Sequence, residues 1–531
     1  MQSRTLVIRF GSLGDVVLTS ATVVNLKLAH PDSRIVYLTR ERFRPLVDLF
    51  FGVDTVETVP DRITVRTLFE MLLNIEGSGF EQVVDLHGNL RSWFARSVLR
   101  TNSIYTYPKR RWERWVLTRR KKTLPSEYPH TIDLYNDVLI RQDKRAPCDR
   151  PLMAAPPLAP DLAAVVDTGR PVVLIAPGAA HPTKAWPVER FAEVARQLQV
   201  AKSVSIVWAV TSSERSAYGA PNDLRQRGLT ELVDCPLDQL AAIVSRVALV
   251  ICNDSGVGHI GSAVGTPVLA LFGPTHPVLG FAPRGLRDRI MQVDEFCRPC
   301  SRHGKKPCWR EERYCFTKLT SESVAGVAVE MLDETARLTP CLFVDRDGTL
   351  IHNKHYLADP EGVELIDGVP EALRQARQLG YKVVVVSNQS GVARGLHTID
   401  DVERVNARVR EQLRDRGADF DAIYYCPHHS SKSRPASMNQ SCRCRKPSPG
   451  MAEQAALELG LDLRRSVVIG DSVPDIALAR VIGARPILVR TGYGATVETR
   501  RPDRLRGFGV DVADDLAAAV RLLLQGETAL S

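Results

Sequence analysis

No apolar run in this 531-residue sequence approaches the roughly 18 residues that a membrane-spanning helix needs. The opening MQSRTLVIRFGSLGD reaches glycine and aspartate too early for a secretory leader, so a cytoplasmic protein is expected. No G-x-x-x-x-G-K-S/T phosphate loop and no RNA-binding signature occurs, which argues against a nucleic-acid end-processing enzyme. No repeat of solenoid length is evident, so a stacked array is excluded. Neither sign of charge dominates, since a net +9 is modest for this length.

What is present is globular. The chain is too long for one core, and 44% hydrophobic with 25% charged residues is ordinary for folded protein. Three βα-rich regions are expected, at 1–160, 161–338 and 339–531. The first has the strand TLVIRF, a glycine turn, a helix from about Asp15 to Ala29, then RIVYLT and VVDL. The proline-rich RPLMAAPPLAP marks a linker near 150–160. The second region carries PVVLIAPG, SVSIVWAV, LVICNDSG and PVLALFGP, closing with a helix from about Ser321 to Ala336. The third carries CLFVDRDGTL, KVVVVSNQSG, a helix near Asp401–Arg416, AIYYC and SVVIGDS. Continuously apolar strands alternating with helices predict an α/β fold with parallel sheets.

The third region carries the clearest chemistry. CLFV delivers Asp345-Arg346-Asp347-Gly348-Thr349 at a strand's carboxyl end, where ligands of open α/β sheets bind. Asp345 can attack phosphorus as a carboxylate, and Asp347 can reach the leaving oxygen and move a proton. A phosphoryl group is itself anionic, so cations are needed. Asp471, in SVVIGDSVPD, would join Asp345 and Asp347 as ligands of a hard cation such as Mg²⁺. Lys446, in RCRKPSPG, supplies a fixed positive charge, and Ser387 and Asn388 offer hydrogen bonds to phosphoryl oxygens. Asp475 reads as a supporting or helix-capping residue.

Seven of the eleven cysteines fall in two groups, which without an export signal points to metal more than to disulfides. Cys426 and His428 form one short-spaced pair, and Cys442 and Cys444 the other, with thirteen residues between the pairs. Such pairs across a polar loop are what a tetrahedral structural Zn²⁺ requires. His429 competes, but the Cys-x-His spacing favours His428. The second pair runs into Arg445 and Lys446, so metal there would fix both basic residues beside the phosphoryl site. The set Cys297, Cys300, Cys308 and Cys315 could hold a second zinc or stand without metal, and spacing leaves both open. Cys148, Cys235, Cys252 and Cys341 fit apolar space.

In order, DRDGT, SNQSG, RCRKP and GDS resemble the four motifs of the haloacid-dehalogenase-type phosphatase superfamily. The resemblance implies Asp345 as nucleophile and Asp347 as general acid/base, with Ser387 and Lys446 completing the catalytic set. Aspartate at 347 favours a phosphatase over ATPase or dehalogenase members. The region is similar in particular to the D,D-heptose 1,7-bisphosphate 7-phosphatases, on DRDGTL, Asn353–Tyr356, Ile366–Val369, SNQSGVARG, CPHH…CRCRKP and GDS. That implies removal of the 7-phosphate of D-glycero-D-manno-heptose 1,7-bisphosphate through an aspartyl-phosphate. Implied substrate contacts are Asn353, Lys354, His355, Tyr356, Ser387, Asn388, Gln389, Ser390, Arg445 and Lys446. Histidinol-phosphate phosphatases are related and share the metal-ligand types, but tend to have a shorter loop between the ligand pairs. A histidinol-phosphate-type or other small-molecule phosphatase is the alternative. Ser387 stands where threonine is commoner, and its hydroxyl serves the same contact.

Gly11-Ser12-Leu13-Gly14-Asp15 joins a strand to a helix, Thr183 and Lys184 follow PVVLIAPG, and Asp254, Ser255, Gly256 and His259 occupy the next such junction. Backbone N–H groups at a helix N-terminus with a lysine nearby suit a diphosphate. With DLHGNLRS at Asp85–Ser92, these segments resemble the family-9 glycosyltransferases, the lipopolysaccharide heptosyltransferases. The resemblance implies two Rossmann-like domains in a GT-B arrangement, ahead of the haloacid-dehalogenase-type domain. It also implies a nucleotide-sugar donor, ADP-heptose, and inversion at the anomeric carbon with Asp15 as general base. Thr183, Lys184, Asp254, the Ser255–Gly256 turn and His259 would then bind the donor.

Between Tyr107 and Lys122 lie eight Lys/Arg and one acid, interleaved with Trp112 and Trp115. The stretch is either a solvated helix face or a surface for an anionic partner. With the resemblance, that partner would be the lipopolysaccharide core acceptor or an anionic membrane surface, making the protein peripheral at the inner membrane. A non-catalytic sugar-binding role for the first two regions is the other reading. The two implied reactions belong to one pathway but are not consecutive, and no third catalytic signature bridges them.

Overall fold

The computed structural model describes residues 3–527 except 63, 77–78, 100, 102, 120–127, 430–441, 501, 503–504 and 506–508. Arg120, Lys121 and Lys122 of the basic stretch, and most of the loop between the Cys426 and Cys442 pairs, lie outside the described residues. The chain forms two compact units, Met1–Ala336 and Arg337–Ser531.

The first unit contains two parallel sheets. One is built from β1 (Arg4–Ile8), β2 (Arg34–Arg40), β3 (Thr55–Val59), β4 (Gln82–Asp85) and β5 (Ser103–Thr106), in the order 3-2-1-4-5. The other is built from β6 (Val172–Ala176), β7 (Ser205–Val210), β8 (Thr230–Val233), β9 (Leu249–Asn253), β10 (Val268–Phe272) and β11 (Arg289–Gln292), in the order 11-10-9-6-7-8. Residues of β6, β9 and β10 are buried throughout, as strands covered by helices on both faces must be. Trp186, Phe191 and Trp208, all fully buried, anchor the core of the second sheet.

The expected helix from Asp15 to Ala29 is divided. Helix Leu13–Leu18 ends at Thr19, whose hydroxyl donates to the Val16 carbonyl at 2.6 Å, and helix Ser20–Ala29 follows. The proline-rich linker is not a free tether. Met153 N–H donates to the Ala263 carbonyl at 3.0 Å and Ala154 N–H to the Leu49 carbonyl at 2.9 Å, so it is tied to the layers of both sheets.

The second unit has one parallel sheet: β12 (Cys341–Val344), β13 (Lys382–Asn388), β14 (Ala422–Cys426), β15 (Val467–Gly470), β16 (Arg485–Val489) and β17 (Asp511–Ala513), in the order 14-13-12-15-16-17. In each sheet the strand order reverses at one place: between β1 and β4, β6 and β9, and β12 and β15. Chains leaving adjacent strands there diverge to opposite faces and open a crevice at the carboxyl ends. Asp15, Lys184, Asp254, Asp345 and Asp471 all follow one of those strands.

Candidate active sites

In the second unit, β12 ends at Val344 and places Asp345 beside Lys446, whose Nζ lies 2.7 Å from Asp345 Oδ1. The same ammonium donates to the Val386 carbonyl at 2.7 Å and forms an ion pair with Asp475, 2.6 Å from Nζ to Oδ1, that is not an aligned hydrogen bond. Asp475 is fully buried. Its other oxygen accepts from the backbone and side chain of Ser472, capping helix Val473–Ile482. Asp475 is thus both a cap and the second anion on Lys446.

Asp345, Asp471 and Asp475 bring carboxylate oxygens within 4.8 Å of one another. Burial, and then the neighbouring carboxylates against the pull of Lys446, push Asp345 up to about 7 and Asp471 up to about 8. Three carboxylates face one ammonium, an imbalance that one divalent cation offsets. The backbone leaves room for it. A Cβ on Gly348 would sit 2.1 Å from Asp471 Oδ2, and one on Gly492 would sit 2.0 Å from the same oxygen. Both glycines have positive φ, and Tyr493 N–H donates to Asp471 Oδ2 at 2.8 Å. The donor set of hard oxygens fits Mg²⁺.

Asp347 lies outside that group of three. Its carboxylate accepts from the buried Arg346 at 2.9 Å and from Gln389 Nε2 at 2.8 Å. Arg346 is itself held by Asn406 at 2.7 Å. Gln389 Nε2 also donates to Ser387 Oγ at 2.8 Å, so Gln389 ties the second motif to Asp347. Asn388 brackets the lysine backbone, accepting from Lys446 N–H at 3.0 Å and donating to its carbonyl at 3.2 Å.

These groups line a cavity of about 270 Å³ with Asn353, His355, Tyr356, Ser390 and Tyr493. Lys354 and Arg445 do not line it: Lys354 pairs with Glu364 at 3.1 Å, and Arg445 donates to the His428 carbonyl at 3.2 Å. Tyr493 comes from a segment no motif marked. Its hydroxyl meets His355 Nδ1 at 3.0 Å.

Cys426, His428, Cys442 and Cys444 bring their ligand atoms within 4.8 Å of one another. Cys426 Sγ is 3.4 Å from Cys442 Sγ, and His428 Nδ1 is 3.2 Å from Cys444 Sγ. Three sulfurs and one ring nitrogen at this spacing fit a tetrahedral Zn²⁺. Cys444 is lowered by Cys426, Cys442 and His428 while Cys426 is raised by Cys444 and by burial, as thiols close enough to share one proton are. His429 is engaged elsewhere, 3.1 Å from Arg394 Nη2.

In the first unit, helix Leu13–Leu18 meets helix Gly256–Val264 closely enough that glycine is required on both. A Cβ on Gly14 would lie 2.4 Å from His259 Cδ2, and one on Gly256 would lie 2.5 Å from Leu13 Cδ2. This contact floors a cleft of about 680 Å³ that Asp15, Lys184, Asp254, Ser255, Gly256 and His259 all line. Asp15 is held by Arg9 at 2.7 Å, Ser12 Oγ at 2.9 Å and Tyr135 OH at 3.2 Å. Burial would raise its pKa, but Arg9 and the Ser12 and Tyr135 donors outweigh burial and hold it below the ordinary value. Lys184 Nζ pairs with Asp254 at 2.7 Å. His259 is kept neutral by burial, and its Nδ1 has no hydrogen-bond partner among the described residues.

Thr183 points away from this cleft, its hydroxyl donating to the Gly304 carbonyl. Thr211, Glu214, Asp234, Arg302, His303 and Lys305 line the cleft without having been read from the sequence. The last three were hidden between cysteines in a stretch without periodicity.

Comparison with known proteins follows the same division. A family model described as glycosyltransferase family 9 (heptosyltransferase) matches residues 69–309, and one described as HAD-hydrolase-like matches residues 443–519. The D-glycero-beta-D-manno-heptose-1,7-bisphosphate 7-phosphatase of Yersinia pestis is 42% identical over 161 residues, 30% of this chain and 85% of that protein. The protein of the same description from Escherichia coli K12 is 41% identical over 165 residues, 31% of this chain and 85% of its own length. The crystal structure of a family 9 glycosyl transferase from Veillonella parvula matches with a TM-score of 0.50 at 22% identity, covering 62% of this chain and 97% of that one. The fold is therefore two Rossmann-like domains of the GT-B kind followed by a haloacid-dehalogenase-type α/β domain.

Proposed function

The chain belongs, through its second unit, to the D-glycero-beta-D-manno-heptose-1,7-bisphosphate 7-phosphatase family and carries a family 9 glycosyltransferase domain in its first; from that premise we propose that Asp345 takes the 7-phosphoryl group of the heptose bisphosphate while Asp15 activates a sugar hydroxyl for heptosyl transfer. The protein is a phosphatase and a glycosyltransferase of heptose metabolism. The observation that carries the mechanistic reading is Lys446, which places one positive charge against Asp345 inside a cavity of small-molecule size.

In the phosphatase, Asp345 Oδ attacks phosphorus as the bond to the sugar oxygen breaks. Asp347, oriented by Arg346 and Gln389, gives its proton to that oxygen. It then takes a proton from water, whose hydroxide attacks the aspartyl-phosphate to release phosphate and regenerate Asp345. Lys446, Ser387 and Asn388 bind the phosphoryl oxygens. Bound at Asp345 and Asp471, Mg²⁺ would offset the charge of nucleophile and phosphoryl group together. Zn²⁺ at Cys426, His428, Cys442 and Cys444 would hold the segment leading into Arg445 and Lys446. Asn353, His355 and Tyr356, across the cavity, would hold the sugar.

In the transferase, Asp15 is ionised by its cation partner and accepts the proton of the acceptor hydroxyl as that oxygen attacks the anomeric carbon. The nucleoside diphosphate of ADP-heptose leaves from the opposite face, with inversion. Lys184, the N–H groups at Ser255–Gly256, Arg302 and Lys305 stabilise its charge. The acceptor would be a lipopolysaccharide core saccharide.

The deciding measurement is phosphate release from both anomers of the heptose bisphosphate, with histidinol phosphate as comparison. Turnover of a heptose anomer at least about tenfold above histidinol phosphate is expected. Preference for histidinol phosphate would reject the substrate. For the transferase, Asp15→Asn should abolish heptosyl transfer while ADP binding persists. An unchanged transfer rate in the variant would remove Asp15 as the base, and no transfer by the wild-type chain would leave the first unit a binding module.

A further inference from the structure

The cysteines of the first unit have no part in either reaction, yet they are not scattered. Cys297, Cys300, Cys308 and Cys315 all line one small void of about 20 Å³. That is about the space one small sphere needs, some 10–15 Å³ or more. Two ends of the segment are fixed before any metal is considered. Buried Arg298 donates to the Thr275 carbonyl at 2.8 Å and the Phe272 carbonyl at 3.2 Å, pinning Cys297 and Cys300 to the end of β10. Cys300 N–H donates to the Pro274 carbonyl at 3.1 Å. At the other end, Cys315 sits in the short helix Tyr314–Thr317 beside the fully buried Phe316. Arg313 donates there to the Pro182 and Ala185 carbonyls, each at 3.1 Å.

Between these anchors, residues 301–313 contain neither helix nor strand. Irregular segments of this length in compact domains are commonly functional, and here Arg302, His303 and Lys305 reach the donor cleft. The cations Arg302 and Lys305, gathered on a loop with no ladder, need something other than a core to hold them. The four sulfurs are spread more widely than the ligand atoms of the Cys426 set. Ion binding would therefore draw the four sulfurs together, no three of which lie within 4.8 Å of one another. Arg310 and Arg313 line the void and Arg298 interacts electrostatically with Cys315, Cys300 and Cys297, and their charge suits the net negative charge of a metal bound by four thiolates.

We propose that Cys297, Cys300, Cys308 and Cys315 form a second, structural zinc site that clamps the basic 302–305 segment over the transferase cleft. Each unit then uses a cysteine staple to place cationic side chains at its phosphate site. The metal assignment stands on the cysteines alone; its consequence for donor binding rests on the transferase reading.

The test uses the full chain, purified with a phosphine reductant. Metal analysis should find about two zinc per chain, falling to about one in Cys300→Ser/Cys308→Ser and to about one in Cys442→Ser/Cys444→Ser. A wild-type content of about one that the first variant leaves unchanged overturns the proposal, as does iron in place of the second zinc. A readout independent of the first variant's folding comes from the wild-type chain. Cys308 is exposed and, unbound, should be alkylated rapidly. Protection of Cys308 that is lost on chelation supports the site, and rapid labelling of Cys308 in the untreated protein overturns it. ADP titration separates the two readings. Weaker ADP binding after zinc loss supports the clamp, whereas ADP that never binds the wild-type chain rejects the transferase reading and leaves the metal result standing.

Discussion

Asp475 shows how much of a site can rest on a residue that need not touch substrate. It is fully buried, carries half the counter-charge of Lys446, and caps the helix that follows Asp471. Removing it takes away the cap of that helix, a loss that typically costs about 0.5–2 kcal/mol, while Lys446 keeps its pair with Asp345. Asp475→Ala should therefore destabilise the second unit selectively. All six tryptophans lie in the first unit, at 93, 112, 115, 186, 208 and 309. Urea titration of the variant should lose phosphatase activity at lower denaturant while the tryptophan transition stays in place. A shared shift of both would show that the effect is not local. In the sequence Asp475 read only as a supporting or capping residue, because the GDSVPD spacing is that of a helix start. Its main partner lies 29 positions away across a loop, and no local pattern reports that.

Asp15 poses the opposite problem at the same scale. Its motif position was legible, but its electrostatic state was not, because Arg9 lies just past the end of β1 and Tyr135 arrives from far along the chain. With its folded pKa depressed, the stability it contributes is present above the ordinary carboxylate range and is lost as pH falls through the lower folded value. The same depression keeps the base ionised in mild acid. Arg9→Gln removes the main stabilising charge and leaves burial, which acts in the opposite direction. The acid limb of the transfer-rate profile should then move to higher pH, with the rate at neutral pH less affected. An acid limb that stays put in Arg9→Gln would remove Asp15 from the role of base.

At the scale of elements, the three switch points explain how distant short motifs come together in the proposed sites. The segments carrying Asp15, Lys184, Asp254, Asp345 and Asp471 each follow a strand of a reversing pair, so the fold gathers residues that the sequence separates, such as Asp345 and Asp471. The strands and their parallel pairing were legible because buried strands are continuously apolar. Loops were less so. Tyr493 and the 302–305 segment reach their cavities through turns whose course depends on tertiary packing. The Cys426 staple is the element whose removal tests this account. Chelation, or Cys442→Ser/Cys444→Ser, should lower phosphatase kcat/KM by about 10–100-fold, the usual effect of losing support behind a site. Zn²⁺ should restore the chelated enzyme and Mg²⁺ alone should not. Recovery with Mg²⁺ alone would mean that Asn388 and Asp475 suffice to place Lys446.

For the whole molecule, the two reactions meet different physical surroundings, since the phosphatase substrate is small and the proposed acceptor is lipid-anchored. Among the described residues no helix is long and apolar enough to cross a membrane, but a surface helix can also supply a membrane contact. Helix Arg111–Arg119 offers one. Trp112 and Trp115 stack at 4.7 Å and are 70% and 41% exposed, while Arg119 lies over the Trp115 ring at 4.8 Å. Paired tryptophans beside arginines suit the headgroup level, where the rings enter the interface and the cations meet anionic lipid. Each basic residue near such a surface contributes about 1 kcal/mol. Reversing Arg110, Arg111 and Arg119 to glutamate should thus weaken binding to vesicles containing anionic lipid by two orders of magnitude or more, roughly. Phosphatase activity on the soluble bisphosphate should not change, because those residues belong to the other unit. Transfer to a vesicle-embedded acceptor should fall with vesicle binding, while transfer to a soluble acceptor fragment is retained. Equal loss on both acceptors would place the arginines at the saccharide itself, and unchanged vesicle binding would exclude the helix as a membrane contact.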